Sequence, residues 1–294
     1  METTFTKPRR PWLAALLSLL GGPLGQVYAG RLRRGVVLWI VGGLLIPILV
    51  FLSISLPLGR LGFASLFLCA LAFPIYLAVD AFLLARRTSG APLKRYQRWW
   101  VYVLIYVALI AANNGVAHAV RAFIAEAFVV PTRAMSPTIQ AGDRLLADKF
   151  WTDSSRLRRN DVVVYRSEGP GSPLFVMRVA GLPGDRIEIK DERVLLNGTQ
   201  WDDRHGVWDA SLPSYVELAN HGPVTVPADC FFVLGDNRRC SKDSRISGPI
   251  PLSDYYGKAR LIYWSRPRQF PDPDDTTRYT LGPIRWDRIG ARLD

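Results

Sequence analysis

Three long apolar runs, Val36 to Leu58, Leu61 to Ala85 and Trp99 to His118, set the first limit on what this chain can fold into. Each approaches the roughly 20 apolar residues that a helix needs to cross the hydrocarbon core of a bilayer. They predict membrane-spanning helices over residues 36–58, 61–85 and 99–118. An earlier stretch, residues 12–29, is apolar but shorter, and Gly21-Gly22-Pro23 breaks it. It reads as a span, a re-entrant hairpin or an interfacial segment. Lys7, Arg9 and Arg10 before a Leu-rich core, with Val27-Tyr28-Ala29 after it, also allow a cleavable targeting segment.

The formal net charge of +12 would suit a nucleic-acid partner, but its distribution argues against one. Residues 1–130 hold 13 of the 37 basic residues and 3 of the 25 acidic ones, which leaves 24 and 22 for the remainder. The excess lies among the apolar segments, where Lys and Arg set membrane orientation. Arg86, Arg87, Lys94, Arg95 and Arg98 place the linker before the last run on the cytoplasmic side. Arg31 to Arg34 and Lys7 to Arg10 belong on that side too, which requires residues 12–29 not to cross. Three spans are therefore preferred, with four as the alternative; either way the chain beyond about residue 120 is extracytoplasmic. Asp80, near the cytoplasmic end of its run and close to Arg86, is expected to reach the interface or pair. Asn113, Asn114 and His118 read as helix–helix hydrogen bonders.

From Asp143 onward short β-rich runs alternate with Gly, Pro, Asn and Asp. Strands are predicted at Arg144 to Lys149, Asp161 to Arg166, Leu174 to Ala180, Arg186 to Lys190, Val194 to Leu196, Phe231 to Leu234 and Arg260 to Trp264. Arg186-Ile-Glu-Ile-Lys190 alternates cleanly, and Asn197-Gly198 marks a turn. The pattern predicts an antiparallel β domain of sandwich or partial-barrel type. No His/Cys group has metal-ligand spacing, so no metal is expected; His205 and His221 read as solvated loop residues. Cys69 is packing filler in an apolar run, whereas Cys230 and Cys240 either pair or stay free thiols.

Five collinear blocks follow the membrane segments: Pro131-Thr-Arg-Ala-Met-Ser-Pro-Thr138 with Gly142-Asp143; Asn160-Asp-Val-Val-Val-Tyr165; Met177-Arg-Val-Ala-Gly-Leu-Pro-Gly-Asp185; Gly235-Asp-Asn-Arg-Arg-Cys-Ser-Lys-Asp-Ser-Arg245; and Trp286-Asp-Arg-Ile-Gly290. Together they resemble the type I signal peptidase family, membrane-anchored serine peptidases of the S26 class that remove signal peptides from exported proteins. A weaker resemblance links Gly25-Gln-Val-Tyr-Ala-Gly30 to the signature of small two-helix membrane modules, and it implies no chemistry.

The first resemblance implies a Ser–Lys dyad and no cofactor. The lysine must be held neutral by an apolar site so that it can take the proton of the attacking serine. The resemblance puts the nucleophile at Ala134 and the general base at Met177. Alanine has no hydroxyl and a thioether has no transferable proton, yet Ala approximates Ser in shape and Met the stem of Lys. Thr132 stands where the family helps bind the oxyanion, and Met135 flanks the pocket. Ser241, Asp243 and Arg245 stand where it supports the site. Gly235, Asp236, Asn237 and Arg238 read as a structural turn held by a salt bridge, and Asp143, Asp161 and Asp185, each at a loop–strand junction, read as turn residues. Ser136, the Ser241-Lys242 pair and Lys149 are the remaining candidates for relocated chemistry.

The expected architecture is therefore a membrane domain over residues 1–120 followed by an extracytoplasmic, mainly antiparallel β domain over 121–294. The resemblance implies a multi-pass protein of the bacterial cytoplasmic (inner) membrane. Its partners would be the lipid bilayer, signal peptides of exported preproteins and the export machinery, without nucleic acid. The first functional reading is a family member that has lost Ser–Lys hydrolysis but still binds such segments or partners. The alternatives are an active peptidase using other residues and a membrane scaffold.

Overall fold

The computed structural model describes residues 9–56, 59–92, 94, 96–150, 153–167, 169, 171–208, 219–269 and 280–293. Lys7, Leu58 and Arg95, used above, lie outside the described residues. The chain divides into two compact units, Met1–Ile124 and Ala125–Asp294.

The first unit is helical: α1 (Pro11–Gly21), α2 (Leu24–Tyr28), α3 (Leu32–Ser55), α4 (Gly59–Arg87) and α5 (Trp99–Phe123). The last three are long and apolar enough to cross a membrane, with mean hydropathies of 2.7, 2.2 and 1.7 over their spans. The 11 residues of α1 rise only about 16 Å, half of the ~30 Å hydrocarbon core. Proline sets the start of α1, and the break at Gly22-Pro23 turns the chain into α2.

Polar contacts then stitch this opening segment to the linker before α5. Arg9 donates to the Thr88 carbonyl at 2.5 Å and to Gln97 Oε1 at 3.2 Å. Gln97 Nε2 donates to the Tyr28 carbonyl at 2.7 Å, and Thr88 Oγ1 to the Ala29 carbonyl at 3.1 Å. The Gly25–Gly30 run acquires a packing rationale. A Cβ on Gly25 would strike the Ala14 carbonyl, Ser18 and Ala81, so glycine lets α1, α2 and α4 meet. Gln26 is fully buried and donates to the Leu77 carbonyl at 2.9 Å and to Asp80 Oδ2 at 3.1 Å. The ion-pair partner of Asp80 is Arg34, at 2.6 Å, and not its sequence neighbour Arg86.

The second unit comprises β1 (Ala125–Val129), β2 (Asp143–Asp148), β3 (Val162–Arg166), β4 (Leu174–Gly181), β5 (Arg186–Lys190), β6 (Arg193–Leu196), β7 (Thr199–Gln200), β8 (His221–Thr225), β9 (Cys230–Leu234), a one-turn α6 (Ser244–Ser247), β10 (Ile250–Pro251), β11 (Tyr255–Ser265), β12 (Arg268–Gln269) and β13 (Thr280–Leu281). A seven-stranded antiparallel sheet runs β1-β2-β11-β3-β4-β9-β10, and a four-stranded one runs β7-β6-β5-β8. In β9, Phe231 and Val233 join one core with Met177 and Val179, while Phe232 and Leu234 join another with Ile187 and Ile189. Side chains alternate across a strand, so a continuous Phe-Phe-Val-Leu run means that β9 is buried on both faces.

The fold corrects several boundaries. The β structure begins at Ala125, because β1 pairs with β2 from Ala125↔Asp148 to Val129↔Arg144. Strand β11 starts at Tyr255, five residues before the predicted Arg260. It pairs with β3 over Tyr255–Lys258 and with β2 over Lys258–Ser265, with register shifts that carry Gly257 and Lys258 into the sheet. His221 opens β8 beside β5, with its ring 6.0 Å from Phe232 and its Nε2 buried without a partner, so it is no solvated loop residue. Cys230 and Cys240 are both free thiols.

Candidate functional site

Residues 132–139 form a tight turn between β1 and β2. The Ser136 amide donates to the Arg133 carbonyl at 3.0 Å and the Ile139 amide to the Met135 carbonyl at 2.8 Å. The turn presents Ala134, Met135 and Ile139 inward, all buried, while Thr132 is exposed. The C-terminal block clamps it from outside. Arg288 donates to the Thr138 carbonyl at 2.8 Å and to Asp143 at 2.6 Å, and Arg285 to Gln140 at 2.6 Å and to Asp143 at 3.1 Å. Asp143, fully buried, also accepts from the Gln140 amide and from Ser265, which makes it the anchor of the turn.

The loop after β9 packs against this turn. The Asn237 amide donates to the Ala134 carbonyl at 3.0 Å. A Cβ on Gly235 would stand 2.6 Å from that carbonyl and overlap Ser241, so the approach requires glycine. From β4, Met177 enters the same apolar cluster as Ala134 and Met135, and the Ser241 hydroxyl donates to its Sδ at 3.5 Å. Ala134, Gly235, Asn237, Ser241 and Met177 are thus one continuous site, joined from segments more than a hundred residues apart.

Buried ion pairs hold the loop around it. Arg178 forks onto Asp236 with two contacts of 2.7 Å and donates to the Asn160 carbonyl. Arg245 forks onto Asp243, and its Nη2 also reaches the Arg238 carbonyl at 2.7 Å. Asp243 further caps α6 and accepts from the Gly235 amide at 3.0 Å. Arg238 pairs with Asp203 at 2.6 Å, where burial pushes the Asp203 carboxyl above its usual range against the pull of Arg238. Such bidentate pairs fix geometry as well as energy.

A family model described as "Signal peptidase, peptidase S26" matches residues 97–264. The chain belongs to the peptidase S26 signal peptidase family. A signal peptidase I of Leptolyngbya laminosa is 36% identical over 152 residues, 49% of this chain and 71% of that one. One of Bacillus caldolyticus is 33% identical over 179 residues, 58% of this chain and 92% of that one. The crystal structure of a signal peptidase I from Enterococcus faecalis V583 is 28% identical, covering 35% of this chain and 96% of that one, with a TM-score of 0.28.

Within this signal peptidase family chain, the other candidates for proton transfer are placed unfavourably. Lys242 is exposed and adjoins a Ser241 whose hydroxyl is committed to Met177. The Ser136 hydroxyl faces the Ile139 carbonyl at 3.5 Å. Lys149 donates to Tyr256 at 2.9 Å and to Glu126 at 3.1 Å. Burial works against its charge, but those two bonds prevail and raise its pKa, which keeps it protonated. Thr132 makes no side-chain hydrogen bond to the described residues. No group of three His, Cys, Asp or Glu among the described residues is arranged to hold a metal.

The partners of the buried arginines are set by distant segments. Arg178 follows Met177 directly, and its charge inside an apolar strand is a local sign of a buried ion pair. Asn160 opens the second sequence block, but nothing there marks its carbonyl as a partner of Arg178, and Asp203 lies outside all five blocks.

Proposed function

We propose that this chain is a membrane-anchored signal peptidase family protein that no longer hydrolyses, and that its β unit binds signal-peptide-like segments on the extracytoplasmic face of a bacterial cytoplasmic membrane. The observation that carries this reading is the pairing of Ala134 and Met177 in one buried cluster, where neither offers a hydroxyl nucleophile or a titrating base. Catalysis by this chemistry needs an activated nucleophile beside a base. The exposed Lys242 and the protonated Lys149 speak against substitutes. The intact loop of Gly235 to Arg245 and the exposed Thr132 and Val129 beside the site support retained binding of an extended apolar segment. Basic residues around the helices support the orientation.

The test is incubation of the purified full chain with a preprotein. We expect no processing. Processing that disappears in Ser136→Ala or Ser241→Ala would overturn the inactive reading. A photoreactive signal peptide is expected to crosslink near Met135, and absence of that crosslink would remove binding from the proposal.

A further inference from the structure

The helical unit contains a cavity of about 550 Å³ between α1, α3, α4 and α5. Its walls are apolar, built from side chains such as Leu19, Leu45, Phe73, Leu77 and Val120. The polar side chains along it are Ser18, Trp39, Asn113 and Arg121. Trp39 Nε1 is buried without an acceptor. The Arg121 guanidinium has no acid partner among the described residues. Asn113, Val116, Ala117, Val120 and Arg121 recur at three- and four-residue steps, so one stripe of α5 faces the cavity and ends in a charge.

These features describe a binder of an amphiphile with one anionic end. Arg121 lies two residues from the end of α5 and is exposed, so its side chain reaches the interface, where lipid phosphates lie. Arginine forms forked contacts with phosphate oxygens. The size of the cavity falls in the usual range for ligand sites. Size also argues against a peptide occupant. A helix about 10 Å across rises 5.4 Å per turn, roughly 420 Å³ for each turn. The cavity would take little more than one turn of such a helix. We propose that it holds an acyl chain of an anionic phospholipid whose phosphate sits on Arg121. This inference rests on the helical unit alone and is independent of the activity of the β unit.

Gly43 and Gly115 give the test. Gly43 lines the cavity, and a Cβ there meets no atom within 4 Å, so Gly43→Phe starts a bulky side chain in open space at the cavity wall. Gly115 on α5 is exposed with equally open surroundings and does not line the cavity, so Gly115→Phe is the control for added bulk. The full chain is reconstituted in nanodiscs containing equal phosphatidylglycerol and phosphatidylcholine, extracted into detergent, and its retained lipid measured by mass spectrometry. We expect about one retained phosphatidylglycerol per chain, at least a tenfold loss in Gly43→Phe, and no change in Gly115→Phe. Arg121→Gln is expected to abolish the preference for phosphatidylglycerol. Unchanged retention in Gly43→Phe, equal retention of both lipids by the natural chain, or displacement of the lipid by a signal peptide would each overturn the proposal.

Discussion

The loop from Gly235 to Arg245 and the turn from Thr132 to Ile139 meet at the Ala134 carbonyl, and they are held in opposite ways. The loop is held by buried ion pairs, Arg178–Asp236 and Arg245–Asp243, in which every side chain is essentially inaccessible. The turn is held by apolar burial of Met135 and Ile139 and by two arginines of the chain's end gripping Asp143. Buried ion pairs seldom stabilise more than well-packed apolar groups would, but losing one partner is costly. The loop is therefore fixed in shape and intolerant of change. The centre is mainly apolar packing, with no ion pair among its described residues, and it accommodates Ala134 and Met177 in one buried cluster. A reactive pair can be lost from such a site while its frame persists.

The largest test of that contrast is a gain of function. In a serine peptidase, losing nucleophile, base or both costs on the order of a millionfold in rate. Ala134→Ser alone and Met177→Lys alone are expected to stay at background in a preprotein cleavage assay. Ala134→Ser with Met177→Lys together is expected to produce measurable processing, because the frame already stands. No processing by a folded double variant would show that the frame has drifted as well.

Stability separates rim from centre next. Arg178→Met leaves Asp236 buried and unpaired and is expected to cost about 3–5 kcal/mol. At the centre, Met177→Leu keeps volume and is expected to cost less than about 1.5 kcal/mol. Met177→Ala opens a cavity, and about 2–5 kcal/mol is expected. Denaturant midpoints of the full chain measure all three. A cost for Arg178→Met no larger than that for Met177→Leu would erase the distinction.

The smallest effect concerns pH. His221 and His205 both titrate below their usual value, chiefly because burial disfavours the imidazolium. For His221 the Arg245 charge acts in the same direction and Asp243 against it. Above about pH 6.5 both folded and unfolded chains hold neutral histidines, so this contribution is complete. As pH falls below that value the unfolded chain takes up protons first, and stability declines until the folded-state values are reached. His221→Gln is expected to flatten part of this decline in melting temperature between pH 7 and pH 5. An unchanged slope would mean that the ring is better solvated than its contact with Phe232 implies.

Much of the fold was readable from local pattern. The alternating Arg186-Ile-Glu-Ile-Lys190 is a strand over those same residues, and the three apolar runs are three long helices. Strands whose local pattern is poor were not readable. His221-Gly-Pro-Val-Thr225 lacks alternation and becomes a strand only through pairing with β5. The first half of β11 carries Gly257 and Lys258 and depends on a change of partner from β3 to β2.

By itself the sequence determined the membrane helices, the β character of the second unit, and the absence of a hydroxyl at Ala134 and of an amine at Met177. Those follow from residue type and spacing along one segment. Only the tertiary structure decided that Ser241 donates to Met177, that Arg178 pairs with Asp236, that Arg238 pairs with Asp203, and that Asp80 answers Arg34 instead of Arg86. A hydrogen bond of about 3 Å selects its partner by strand register and loop path across dozens of residues, and no local pattern carries that information.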